Sequence, residues 1–178
     1  MSDQVILVNE NDEQVDVMDK IEAHRQGVLH RAFSIFIFNG RGEMLLQRRA
    51  AHKYHSGGLW TNACCSHPAP GEETDLAAVR RLQEEMGFTA ALLKVFDFTY
   101  RAEFDNGLTE HEYDHVYLGV YNGQIEPNSE EVSEFRHLPM EAVRQELATR
   151  PETFTAWFHI AFPLLEKWLI KNKLELQN

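Results

Sequence analysis

The run Ala32-Phe-Ser-Ile-Phe-Ile-Phe38 limits the fold more than any other part of the chain. Apolar side chains fall on odd and even positions alike, so an extended segment here has no face to give to water and reads as a central strand buried on both sides. Asn39-Gly40-Arg41-Gly42 then predicts a tight turn into Glu43–Arg49 (EMLLQRR) and hence a hairpin. A shorter strand is expected at 4–8 (QVILV), with others around 91–101 and 113–121 joined through Asp105-Asn106-Gly107. Between them Thr74 is expected to cap a helix whose Leu76, Val79, Leu82 and Met86 share a face and which Gly87 stops. Two further helices are expected at 139–149 and from Thr155 to about Lys171. This order predicts an α/β fold in which a mixed sheet is sandwiched between helices. With 178 residues, 43% of them hydrophobic, the chain suits one sizeable core and a single domain over residues 1–178.

A formal charge of -11 and a pI near 5.2 exclude a nucleic-acid partner held by its phosphate backbone, because that binding needs a basic surface. A small anion needs only a local cationic pocket. The first twenty residues are acidic and lack the basic and apolar regions of a secretion signal, and no window approaches the ~18 apolar residues that span a bilayer. A soluble protein with no membrane partner is expected. The two cysteines, Cys64 and Cys65, are adjacent, so a bridge between them would be strained; free thiols in a reducing cytoplasm are expected.

Chemistry concentrates around Thr61-Asn-Ala-Cys-Cys-Ser-His-Pro68, where a thiol and an imidazole precede a helix carrying Arg80, Arg81, Glu84 and Glu85. His24 and His30 lie upstream, and Glu110-x-Glu112 downstream, where residues two apart on a strand share one face. Together they read as a metal-assisted acid/base site. Each element has a plainer reading. Arg80/Glu84 and Arg81/Glu85 are spaced like surface ion pairs, Trp157 sits among Phe154, Phe158 and Phe162 like a core residue, and the spacing of His24 and His30 does not decide their role. His52, His55, His111, His115, His137 and His159 are read as ordinary histidines of surface or core.

From Glu72 the pattern E-x7-R-x-L-x-E-E-x-G-F resembles the Nudix box, a loop and helix that hold divalent cations on diphosphate substrates. Ser66 stands where the box opens with glycine, and Arg81 where it carries a glutamate. Arginine at that position exchanges a cation ligand for a phosphate ligand and argues against hydrolysis by the usual Nudix route. With Ala23-HRQGVLHRAF-Ser34, TNACCSHP and Glu110-x-Glu112, the chain is similar over roughly residues 4–160 to the type I isopentenyl-diphosphate delta-isomerases.

That resemblance implies a Nudix-type fold and an enzyme of isoprene biosynthesis that interconverts isopentenyl and dimethylallyl diphosphate by a 1,3-proton shift through a tertiary carbocation. It implies a Mn²⁺, Mg²⁺ or Zn²⁺ site at His24, His30, His67, Glu110 and Glu112, and Mg²⁺ on the diphosphate through Glu85. It further implies diphosphate binding by Lys20, Arg49, Lys53 and Arg81, and catalysis by Cys65, Glu112, Tyr100 and Trp157. Glu112 with Tyr100 is expected to protonate and Cys65 to abstract, with the reverse assignment left open; Trp157 is expected to face the cation, and Cys64 to be a buried filler. A monomer or weak homodimer with a pocket closed by both terminal segments is expected. Three alternatives are weaker. A Nudix hydrolase is disfavoured by Ser66, Arg81 and the Cys65/Glu112 pair, and a non-catalytic binding module by the retention of thiol and carboxylates. A structural metal protein would need a sulfur-rich four-ligand set that the chain lacks.

Overall fold

The computed structural model describes residues 3–172. Its organising element is β3 (His30–Phe38), which pairs in parallel with β8 (Thr109–Val120) on one side and antiparallel with β6 (Cys64–Ser66) on the other. Strand alternation sends Phe33, Ile35 and Ile37 to one face, where they pack with Leu82 and Met86 of α2 (Thr74–Met86). It sends Phe36 and Phe38 to the other, against Phe158, Phe162 and Leu165 of α4 (Ala156–Lys171). The two-sided burial expected from the sequence therefore has a cause: one helix covers each face.

Around β3, β1 (Gln4–Val8) pairs with β2 (Gln14–Asp19), and β7 (Leu93–Glu103) with β8 across the Asp105-Asn106-Gly107 turn. α1 (Lys20–Gln26) starts under an Asp19 side-chain cap and ends at Gly27, whose φ of 63° lies in the left-handed region that favours glycine. The chain then turns directly into β3. Thus His24 sits on a helix and His30 on a strand, with the Gly27 cap joining them. The remaining elements are β4 (Glu43–Arg49), β5 (Trp60–Thr61), β9 (Val132–Pro139) and α3 (Met140–Thr149).

Two local expectations are corrected. The turn at Asn39–Gly42 forms, but β4 pairs with β3 only at Phe38 and Met44 and then runs along β9 from Glu43 to Arg49. β6 and β8 already occupy the edges of β3, so β4 finds its hydrogen bonds elsewhere. Helix α2 is preceded by Glu73 with no side-chain cap, and Thr74 is already helical. No helix among the described residues is long and apolar enough to cross a membrane.

Candidate active site

Paired residues on neighbouring strands project to the same sheet face. Register sets Tyr100 opposite Glu112 and Glu112 opposite His30, across β7, β8 and β3. Four residues further along β3, Ser34 stands opposite Cys65 on the other neighbour. Thiol and carboxylate thus flank one strand and open into one cavity, which Tyr100, Glu110, His67, Glu85 and Trp157 also line. Lys20 comes to this cavity from the start of α1, Trp157 from the start of α4, and Arg49 and Lys53 from the end of β4 and its following loop. Arg81 reaches it from α2. Cys64 points the opposite way, into the core under α2, as its position one residue along a strand requires.

His24, His30, His67 and Glu112 bring one donor atom each within 4.8 Å of one another. His24 Nδ1 lies 2.6 Å from the Lys20 carbonyl and His30 Nδ1 2.8 Å from the Val28 carbonyl. A carbonyl accepts but does not donate, so each ring holds an N–H at Nδ1 and turns Nε2 toward the cluster; on His24 that nitrogen carries a free lone pair, whereas on His30 burial opposes a proton but the neighbouring Glu112 carboxylate prevails and favours one. Both Nε2 atoms are buried without a hydrogen-bond partner. Burial also pushes His24 and His67 down to about 4, which keeps those imidazoles neutral at pH 7, the form that ligates a metal. This donor set could hold a divalent cation.

Glu112 Oε1 sits 2.9 Å from His67 Nε2 and 3.5 Å from His30 Nε2. Burial opposes its ionisation, but the two imidazoles prevail and hold it well below the usual carboxylate range. Its other oxygen lies 2.7 Å from the Tyr100 hydroxyl, which also lies 2.8 Å from Glu110 Oε2. One phenolic proton cannot serve both contacts, so two simultaneous bonds need a second proton on a carboxyl. Burial, then the two carboxylates, push the Tyr100 phenol well above its ordinary value and keep it protonated.

Cys65 Sγ donates to Asn62 Oδ1 at 3.1 Å and accepts from Trp157 Nε1 at 3.0 Å. Asn62 is itself fixed by donating to the carbonyls of Ile35 and Cys64. Burial, reinforced by the nearby Asp114 carboxyl, pushes the thiol up, so it rests neutral. Trp157 lines the cavity with the Arg49 guanidinium over its ring, 5.2 Å from the centroid, and with its N–H directed at sulfur.

The expected anion-binding residues meet in the cavity, Lys53 and Arg81 with their charges paired there and Arg49 in no ion pair among the described residues, its Nε buried without a partner. Lys53 is bonded to Glu131, while Arg81 contacts Glu85 at 2.7 Å, Glu84 at 2.6 Å and Glu131 at 3.3 Å. Glu85 also accepts from Gln47 at 3.0 Å. Arg80 points away from the cavity and binds Glu72 through two nitrogens at 2.7 and 2.8 Å, fastening the loop before α2 to the helix.

Several site residues escaped the sequence. Gln47 and Glu131 come to Glu85 and Arg81 from far along the chain, Ser34 meets Cys65 across β3 and β6, and Asn62 holds Cys65 from three residues away. His55, read from the sequence as an ordinary histidine of surface or core, lies buried at 5% exposure with its Nε2 2.9 Å from Glu110 Oε1.

The fold and the loop-helix unit define the class: the NUDIX domain family matches residues 28–158. Structures similar in fold include a protein of Deinococcus radiodurans, with a TM-score of 0.69, 19% identity and coverage of 83% of this chain and 90% of that one. A MutT protein of Methanosarcina mazei Go1 has a TM-score of 0.66 and 20% identity, covering 82% of this chain and 96% of that one. Sequence narrows the class. An isopentenyl-diphosphate Delta-isomerase of Pectobacterium atrosepticum is 54% identical, the match covering 89% of each chain. One of Burkholderia multivorans is 44% identical over 94% of this chain and 98% of its own. The chain belongs to the isopentenyl-diphosphate Delta-isomerase family within the NUDIX domain proteins.

Proposed function

We propose that the protein interconverts isopentenyl and dimethylallyl diphosphate, with Cys65 and the Glu112–Tyr100 pair moving the protons. The observation that carries this reading is the register that brings β6 and β8 to opposite edges of β3, so that Ser34 faces Cys65 and His30 faces Glu112 above one cavity. An unactivated alkene needs a strong local acid and a base that cannot reach each other directly, in a site from which water is excluded.

Lys20, Arg49, Lys53 and Arg81 bind and orient the diphosphate, and Glu85 would hold a Mg²⁺ that offsets its charge. His24, His30, His67, Glu110 and Glu112 would hold a second divalent ion, Mn²⁺, Mg²⁺ or Zn²⁺, which would supply fixed charge to tune the acidity of the carboxylates. With isopentenyl diphosphate, Glu112 and Tyr100 give a proton to the terminal methylene carbon, leaving a tertiary cation. Cys65 as thiolate takes a proton from the carbon on the other side of the cation, and the double bond forms there. The enzyme is left with ionised Glu112 and a neutral thiol. That is the protonation state that the imidazoles beside Glu112 and the burial of Cys65 favour, and it is the state that starts the reverse reaction. Trp157 donates its N–H to the sulfur, which stabilises the thiolate when it forms.

Two unbridged thiols suit a reducing cytoplasm, and a monomer or weak homodimer suffices because every assigned residue lies on one chain. Purified protein incubated with isopentenyl diphosphate should form the dimethylallyl isomer and exchange protons with solvent. Orthophosphate release without isomer would instead identify a hydrolase.

A further inference from the structure

We infer that His55 is a sixth protein ligand of the histidine–glutamate metal centre, filling the position that three imidazoles and two carboxylates leave open on a six-coordinate ion. The inference rests on the five-ligand centre proposed above.

His55, His24 and Glu110 form a second group of donor atoms, all within 4.8 Å of one another. His55 Nε2 is buried without a hydrogen-bond partner although Glu110 Oε1 is only 2.9 Å away, because the two are not aligned to share a proton. Lone pairs that approach closely without pointing at each other are arranged as two neighbouring ligands are. Bonds of ~2.1 Å in an octahedron put adjacent donors ~3.0 Å apart. The same spacing, 2.9 Å, separates His67 Nε2 from Glu112 Oε1 in the first group.

The two groups share His24, and this decides between one ion and two. Its Nδ1 is committed to the Lys20 carbonyl, so the ring has a single free lone pair, at Nε2, which can hold a single ion. His55 therefore joins the ion that His24 holds and does not build a second centre.

The loop after β4 is shaped to deliver this side chain. Ser56, its neighbour, takes a φ of 53°, in the left-handed region. Gly57 packs so closely that a Cβ there would meet the Ala51 carbonyl oxygen at 2.4 Å. The imidazole stacks on Phe104 with centroids 4.6 Å apart and 8° between planes, and Asn106 donates to the Tyr54 carbonyl at 2.8 Å, tying the loop to the β7–β8 turn. Such fixing costs backbone freedom and is repaid where a side chain must hold one orientation. An ion enclosed by six protein donors carries no water, which suits proton transfer and disfavours hydrolysis.

The test uses the metal-free full chain titrated with Mn²⁺ alone, reading free Mn²⁺ by electron paramagnetic resonance and bound water by proton relaxation. The wild type should bind one ion with no fast-exchanging inner-sphere water. His55→Ala should weaken binding roughly 10- to 100-fold, as loss of a well-placed group at a metal site does, and admit a water that raises relaxivity. Wild-type affinity and relaxivity in His55→Ala would overturn the inference. So would a fast-exchanging water in the wild type itself, which needs no variant to fold. His67→Gln separates the two readings. If it weakens binding while His55→Ala does not, only the sixth ligand is lost; if neither weakens it, the five-ligand centre fails as well.

Discussion

Tyr100→Phe isolates the proton shared by the two carboxylates. Phenylalanine keeps the ring that stacks against Phe98, at 5.6 Å between centroids, so the packing of β7 is preserved and only the hydroxyl is lost. That hydroxyl is the partner of Glu110 Oε2 and Glu112 Oε2 in a fully buried setting. A bond from a neutral donor to an ionised acceptor contributes about 1.5–3 kcal/mol, and a chain of this size loses about 2–4 °C of melting temperature per kcal/mol. The variant should therefore melt roughly 3–12 °C lower, by the product of those ranges. Its turnover should fall further than its stability suggests, because a positioned general acid contributes roughly 10²- to 10⁴-fold. Conversion of isopentenyl to dimethylallyl diphosphate, followed at saturating substrate, measures the loss directly. A variant within about threefold of the wild-type rate would remove the phenol from the proton path, since no general-acid contribution is that small.

Cys65→Ala should abolish turnover while melting and diphosphate binding stay near wild type; substantial residual isomer formation would refute the sulfur's role. Trp157→Phe keeps an aromatic ring over Arg49 but loses the N–H to sulfur, so kcat should drop about fivefold, the equivalent of a ~1 kcal/mol hydrogen bond, with KM changed less; an unchanged kcat, or a loss confined to KM, would refute the coupling. For Glu72→Gln the effect depends on pH. Arg80, with support from the Ala69 backbone N–H, holds Glu72 below its usual 4.5, so its stabilisation is present above that pH and fades as pH falls through the lower folded-state value. The melting difference between wild type and variant should be larger at neutral pH than in acid, and a constant difference would show that the ion pair is not what separates them.

How far the sequence could be read depended on whether the signal was local. The bounds of α2, α3, α4, β4 and the β7–β8 turn were legible because apolar spacing and glycine stops lie within each segment. β9 was missed: in VSEFRHLP only Val132 is buried, so no alternating pattern marks a strand that exists by pairing with β4. β6 is three residues long and takes its geometry from β3. The same division holds in the site. TNACCSHP and Glu110-x-Glu112 were visible as compact motifs. His55 was not, because a histidine in a polar loop looks ordinary until Phe104 and Glu110 come to meet it. Trp157 was legible as a residue of interest, but the direction of its N–H depends on the long-range meeting of the start of α4 with Cys65.

Glu131 carries a consequence for the whole catalytic cycle. It holds Lys53 and touches Arg81, standing where a second anion would otherwise be drawn. If Lys53 and Arg81 bind the diphosphate as proposed, an arriving substrate finds these cations already engaged and must trade places with a tethered carboxylate. Affinity is moderated by that exchange, and departure is helped, because the displaced carboxylate is at hand to take the cations back. An isomerase gains nothing by clinging to either of two nearly equal ligands, and a built-in stand-in lets it release both.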